Sequence, residues 1–246
     1  PLLQRWVAEG FIQEAGNRDL ADVAEDYLYE LIDRSLVAKV KTSGGGKMCC
    51  IHDLLRDLCI SESKEDKEFE VCTDNNILIS RKPRRLSIHC NMGHYISSSN
   101  NDHSSARSLF ILGSDNFFIP SKLKFLFKGF KLVQVLDLGT NSCGGKIPSN
   151  LGNFIHLRID TVFVTFIPAS ILTLENLQSI DLGHWRRTIP ISFPAGIWKL
   201  NHLRHLYAHA PIMLRGHCSG SNEVMLNLQT IFAIVLDRQT ISLIKK

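Results

Sequence analysis

The chain has 246 residues, 44 % of them hydrophobic and 21 % charged, with a formal net charge of +4. This composition excludes a disordered tail or a collagen-like polymer and suffices for one large or two ordinary globular cores. The longest nearly apolar stretches, 162–172 and 231–236, fall short of the roughly 18 to 20 residues that cross a bilayer. The opening PLLQRWVAEGFIQ lacks a secretory pattern and an initiator Met, so the chain reads as a piece of a longer one. Seven cysteines (49, 50, 59, 72, 90, 143 and 218) are an odd number without zinc-ligand spacing, and no Asn-x-Ser/Thr sequon occurs. A reducing, cytoplasmic setting is expected.

The net charge conceals a division. Residues 1–80 hold 9 Lys/Arg against 16 Asp/Glu, a net of −7, and residues 81–246 hold 19 against 8, a net of +11. Two domains of opposite charge are expected.

In chain order, residues 2–10 predict a short helix with Leu3, Trp6 and Val7 inward. From Asp19, a plausible N-cap, the residues Leu20, Val23, Ala24, Tyr27, Leu28, Leu31 and Ile32 recur at the spacing of one helical face, with Asp22, Glu25, Asp26, Glu30 and Asp33 opposite. Residues 36–40 and 48–52, joined by a glycine-rich tip, predict a β-hairpin, and 53–60 return to helix. Helix, helix, hairpin, helix is the order of a winged-helix domain, assigned to residues 1–75 and lacking its start.

Three motifs in this part invite chemistry. Gly44-Gly45-Gly46-Lys47 resembles a phosphate loop, but that loop needs G-x-x-x-x-G-K-[ST] between strand and helix, and here Met48 follows inside a hairpin. A winged helix can bind DNA, yet the acidic face of the longest helix would repel phosphates. Ile51-His52-Asp53 sits where strand passes into helix, and taken alone Asp53 would simply cap the helix.

The remainder, 76–246, is repetitive. Ile147-Pro148-x-x-Leu151-x-x-Phe154-x-x-Leu157 aligns with Ile167-Pro168-x-x-Ile171-x-x-Leu174-x-x-Leu177 and with Phe193-Pro194-x-x-Ile197-x-x-Leu200-x-x-Leu203. Short strands of form L-x-x-L-x-L begin at 83, 106, 133, 157, 177, 203 and 228, spacings of 20 to 27 residues that match a leucine-rich repeat of about seven coils. The coil at Leu157 departs from the pattern, and an irregular strand is expected there. Stacked coils share one core and leave the x positions of a parallel sheet on a concave face. Those positions hold Arg84, Arg85, Ser87, Arg107, Ser108, Phe110, Gln134, Asp137, Gln178, Asp181, Arg204, His205, Tyr207, Gln229, Thr230 and Phe232. The mixture suits partner binding, led by Arg84, Arg85, Arg107, Arg204, His205 and Tyr207, and contains no catalytic set. His202, His205 and His209 cannot share one zinc while in strand geometry.

These residues also resemble a known plan. Arg5-Trp6-Val7-Ala8-Glu9-Gly10-Phe11-Ile12 and Ile51-His52-Asp53-Leu54-Leu55-Arg56-Asp57-Leu58 are similar to two signatures of plant nucleotide-binding leucine-rich repeat (NB-ARC, coiled-coil type) disease resistance proteins. Arg84-Arg85-Leu86-Ser87-Ile88-His89 resembles their first repeat strand. The resemblance implies an α/β chain: the winged helix that ends NB-ARC, then the start of the repeats. It implies that His52 contacts the β-phosphate of ADP in the parent protein, braced by Asp53, with ATP-for-ADP exchange triggering oligomerisation. The phosphate loop, Mg-binding strand and sensor arginine are expected upstream, so this chain alone is expected to bind neither nucleotide and to be no enzyme. Pathogen effectors or guarded host proteins are the implied partners. The basic early coils are expected to dock on the acidic winged helix, so that 1–80 and 81–246 associate more weakly as salt rises. The alternatives are an extracellular leucine-rich repeat receptor, suggested by 141–148 in one coil, a DNA-binding regulator, and a partial product without switch activity.

Overall fold

A computed structural model describes residues 2–13, 16, 18–41, 47–73, 82–97, 105–113, 129–139, 156–158, 166–182, 190–208, 210–214 and 227–231. They belong to two compact units, Pro1–Glu70 and Val71–Lys246.

The first unit is a winged helix. Helix α1 (Leu2–Ala8) and helix α2 (Leu20–Asp33) pack through buried Ile12, Val23 and Ala24, with Leu3, Trp6, Val7 and Leu20 against them. Helix α2 begins where Asp19 turns its carboxylate onto the Ala21 N–H at 2.8 Å, satisfying one of the donors that a helix start leaves open. It ends with Ser35 in the left-handed region (φ +58°) and the Leu36 N–H reaching back to Leu31 O at 3.0 Å. That closure normally uses glycine. Strands β1 (Val37–Lys41) and β2 (Lys47–Ile51) form the antiparallel wing, with Val37 opposite Ile51. Helix α3 (Asp53–Glu65) follows and closes in the same way, with Lys67 at φ +59° and the Glu68 N–H on Ser63 O at 2.9 Å.

The second unit holds a repeat sheet, whose first strand begins at Phe69, two residues before the unit boundary. Strands β3 (Phe69–Cys72), β4 (Arg85–Ile88), β5 (Ser108–Ile111), β6 (Val135–Asp137), β7 (His156–Arg158), β8 (Ser179–Asp181), β10 (His205–Tyr207) and β12 (Thr230–Ile231) lie side by side in the order β12-β10-β8-β7-β6-β5-β4-β3. From β4 to β12 the neighbours run parallel and in exact register, so that Leu86, Leu109, Leu136, Leu157, Ile180, Leu206 and Ile231 form one row. Of that row Leu86, Leu109, Leu136, Ile180 and Leu206 are buried, each contributing about 1.5–3 kcal/mol.

Two further elements belong to this unit. Helix α4 (Met92–Ser97) follows β4, and strands β9 (Ile191–Phe193) and β11 (Ile212–Leu214) pair parallel in a separate two-stranded sheet. Both of the described proline-led segments turn back through a short tight helix, at Ala169–Thr173 and Ile197–Lys199, and bury Ile171, Leu174, Leu177 and Ile197, Leu200, Leu203.

The register corrects the reading of the coil at Leu157. Leu157 pairs with Leu136 and Ile180, which makes it the second apolar position of its strand and not the first. The motif is therefore Phe154-x-x-Leu157-x-Ile159, and the strand is regular. Nine residues separate Pro148 from Leu157 where twelve separate Pro168 from Ile180 and Pro194 from Leu206, so a gapless alignment slipped by three.

Glycines seal the strand exits. A Cβ on Gly113 would lie 2.4 Å from Cys90 O, and one on Gly139 (φ +54°) 2.7 Å from Ile111 O. The exits of β5 and β6 thus pass against the backbone of the coil before, at a distance only glycine permits.

Candidate functional site

His52 is the single residue between β2 and α3. Its carbonyl accepts the Arg56 N–H at 2.9 Å, and its ring Nδ1 accepts the Leu54 N–H at 3.2 Å. His52 is therefore the N-cap of α3, a role that sequence alone gave to Asp53. An imidazole that accepts at Nδ1 carries its proton on Nε2, so the exposed ring presents a donor. Asp53 occupies the first helical position, where its charge favours the helix start. Its carboxylate receives Arg56 Nη1 at 3.1 Å and does not bond the imidazole. Arg56 also bonds Asp57 at 3.0 Å; Asp57 first, and then Asp53, hold its pKa above the ordinary arginine value.

The repeat-sheet candidates separate into two groups. Arg84 and Arg107 are exposed and adjacent in the row that enters the strands, where the Arg84 carbonyl accepts the N–H groups of both Arg107 and Ser108. Arg85, half-buried, starts β4 opposite Ser108. The other group lies on β10: Arg204 is exposed in that same entry row, His205 and Tyr207 are half-buried, and their rings stack with centroids 6.1 Å apart. His205 Nδ1 lies 3.4 Å from Thr230 Oγ1. Four strand spacings separate β5 from β10, about 19 Å, so the residues form two patches rather than one.

Several expected face residues are not available. Ser87, Ser108, Asp137 and Asp181 are buried. Asp137 spends its Oδ1 on the Gly139 N–H at 2.9 Å, which fixes the turn leaving β6. Ser87 Oγ lies 2.8 Å from His89 Nε2, and burial holds the His89 pKa below the usual histidine value. Gln134 and Gln178 are half-buried and Gln229 is exposed, in the entry row; Phe110 and Thr230 are half-buried on the sheet, and Phe232 lies outside the described residues, as does His209. Among the described residues no group of three His, Cys, Asp or Glu could hold a metal ion, and no helix is long and apolar enough to cross a membrane.

Sequence reading missed a groove in the first unit, about 390 Å³, lined by apolar Trp6, Phe11, Ile12, Tyr27, Leu31 and Leu36 together with the charged pair Glu30 and Arg34. The signal was Phe11, an aromatic just past the α1 face; it is half exposed.

A winged helix joined to a parallel leucine-rich repeat sheet, with a histidine-capped helix after the wing, defines the class. Residues 1–59 match the disease resistance protein winged helix domain. Disease resistance RPP8-like protein 3 of Arabidopsis thaliana is 31 % identical over 83 % of this chain and 23 % of its own length. Putative disease resistance RPP13-like protein 3 of the same plant is 33 % identical over 95 % and 27 %, and ToMV resistance protein Tm-2(2) of Solanum lycopersicum is 32 % identical over 83 % and 25 %. The chain belongs to the plant disease resistance protein family. It spans about a quarter of the length of these relatives.

Proposed function

We propose that the chain is the switch-sensing and recognition part of a cytoplasmic plant immune receptor gated by ADP and ATP. The observation that carries this reading is the His52 cap. Phosphate oxygens need hydrogen-bond donors, and the exposed Nε2–H of a ring already anchored at Nδ1 is one. His52 would meet the β-phosphate of ADP, whose charge and release supply the switch, and Asp53 would set the helix start through Arg56. The chain by itself is proposed to be no enzyme and to bind no nucleotide. The sheet face, through its Arg84/Arg85/Arg107 and Arg204/His205/Tyr207 patches, would take a pathogen effector or a guarded host protein, and activation would lead to an oligomer.

The decisive experiment uses the full-length parent. His52→Ser keeps an efficient cap and removes the ring donor. Retained ADP should fall at least about tenfold, the size of a lost charge-assisted hydrogen bond, while the unfolding midpoint stays in place. Unchanged ADP retention reduces His52 to a cap. Asp53→Val in the same parent should shift it toward the active state; a well-expressed but silent receptor would contradict the role.

The charge division supports a resting contact between acidic winged helix and basic early coils. Because β3 belongs to the repeat sheet, the two pieces should divide before Phe69 and not at residue 80. Residues 1–68 then hold 9 Lys/Arg against 14 Asp/Glu, a net of −5, and 69–246 hold 19 against 10, a net of +9. Association that weakens steadily with salt supports the contact; none at low salt removes it.

A further inference from the structure

Cys72 and Cys90 are two buried cysteines, not joined by a disulfide, with their sulfurs 3.4 Å apart. Cys72 ends β3, and its carbonyl accepts the N–H of His89, the residue before Cys90, at 2.8 Å. The backbone thus brings the exit of β4, two residues past Ile88, against the end of β3. Closing 3.4 Å to a bond of about 2.05 Å asks the two sulfurs to approach by only about 1.4 Å.

From this geometry we infer that Cys72 and Cys90 form a peroxide-responsive dithiol that closes to a disulfide within the folded repeat unit. The oxidant is hydrogen peroxide, small enough to enter where larger reagents are excluded. One thiolate attacks the peroxide O–O bond, giving a sulfenic acid and hydroxide. The second thiolate then attacks the sulfenic sulfur: the S–S bond forms, the S–O bond breaks, and the oxygen leaves as water once protonated. In sum two thiols lose two electrons and two protons, and one peroxide becomes two waters. Access comes through β3, which among the described strands stands last in the sheet order, beside β4. An edge strand of four residues opens more readily than an inner one. Cys49, Cys50 and Cys59 are exposed, but none has a second sulfur placed against it in this way among the described residues. The consequence is a covalent tie across the 18-residue separation at the point where the chain enters the repeat sheet.

The test is thiol mapping on the full chain. Folded protein is treated with hydrogen peroxide, quenched, alkylated, digested without reductant and analysed by mass spectrometry; a parallel sample is oxidised in urea. The expected result is a peptide linking Cys72 to Cys90, at least about tenfold more abundant than any other linked pair, lost on reduction and replaced by mixed pairings in urea. Cys49→Ser, Cys50→Ser and Cys59→Ser together should leave it unchanged, and Cys72→Ser should abolish it. Recovery of Cys72 and Cys90 as alkylated thiols while the exposed cysteines oxidise would overturn the inference. So would their capture as separate sulfinic acids or in links to other cysteines. Because the linked peptide is read in the unsubstituted chain, a Cys72→Ser variant that failed to fold would not weaken the result.

Discussion

The two units hold their chains by different means. In the winged helix only Ile12, Val23 and Ala24 are fully buried among the described apolar residues, while Leu54 is 76 % exposed, Met48 57 % and Leu58 56 %. Its order comes from local devices: the Asp19 and His52 caps, two left-handed helix closures and surface ion pairs such as Arg18–Asp26 and Arg34–Glu30. In the repeat unit the order comes from rows of buried leucine and isoleucine and from strand exits that tolerate no Cβ. Stability per residue should therefore sit in the repeats, while the winged helix carries apolar side chains on its surface that suit contact more than self-support.

Matched glycines give the largest contrast. Gly139→Ala places a Cβ 2.7 Å from Ile111 O at φ +54° and should cost roughly 3 kcal/mol or more. Gly10→Ala, at φ +76° with nothing within 4 Å, should cost only the backbone term, about 1 kcal/mol. Chemical denaturation followed by hydrogen exchange in peptides of each unit would measure both, and equal costs would break the comparison. Leucines give the next step. Leu206→Ala should cost roughly 2–5 kcal/mol, whereas Leu58→Ala, more than half exposed, should stay within about 0.5 kcal/mol. A smaller effect of opposite sign is expected at the α2 closure, where Ser35→Gly relieves a left-handed residue and should stabilise the winged helix by up to about 1 kcal/mol. Its slowed exchange should stop at the unit boundary.

The smallest is a pH effect. The folded state holds the His89 pKa below its unfolded value because burial disfavours the charged ring. The unfolded chain then binds the proton more readily, so repeat-unit stability should be full above the ordinary histidine pKa and decline as pH falls through it. His89 is exposed, so the loss is slight, a fraction of a kcal/mol after solvent screening. A midpoint comparison at pH 7.5 and 5.5 between the natural chain and His89→Gln should show it; identical slopes would remove the assignment.

Much of the fold is legible in the sequence because its periods are simple. The i, i+3, i+4 face of Leu20, Val23 and Ala24 and the recurring L-x-x-L-x-L suffice for α2 and for the strands of the large sheet other than β3 and the slipped β7; α4 and the two short tight helices carry no such period. β3 escaped because Phe69-Glu70-Val71-Cys72 follows an acidic helix and pairs with a strand far along the chain. β9 and β11 escaped because Ile191-Ser192-Phe193 reads equally well as the approach to Pro194. The sheet face was legible in alternation but not in accessibility: nothing local says that Asp137 will turn onto Gly139 and be covered. At the wing, Asp is the commoner cap, so the switch of roles between His52 and Asp53 needed the hydrogen bond to Leu54 to be seen.

The entry row carries one more consequence. The carbonyls of Arg84, Arg107, Gln178 and Arg204 each receive two N–H groups from the following strand, and each bond is made by backbone alone. The connection between coils is thus indifferent to side-chain identity at Arg204, His205 or Tyr207. The hydrogen-bonded joint between stacked coils can therefore form around different surface side chains at these positions. A variable surface and a constant scaffold then meet in the same row of atoms.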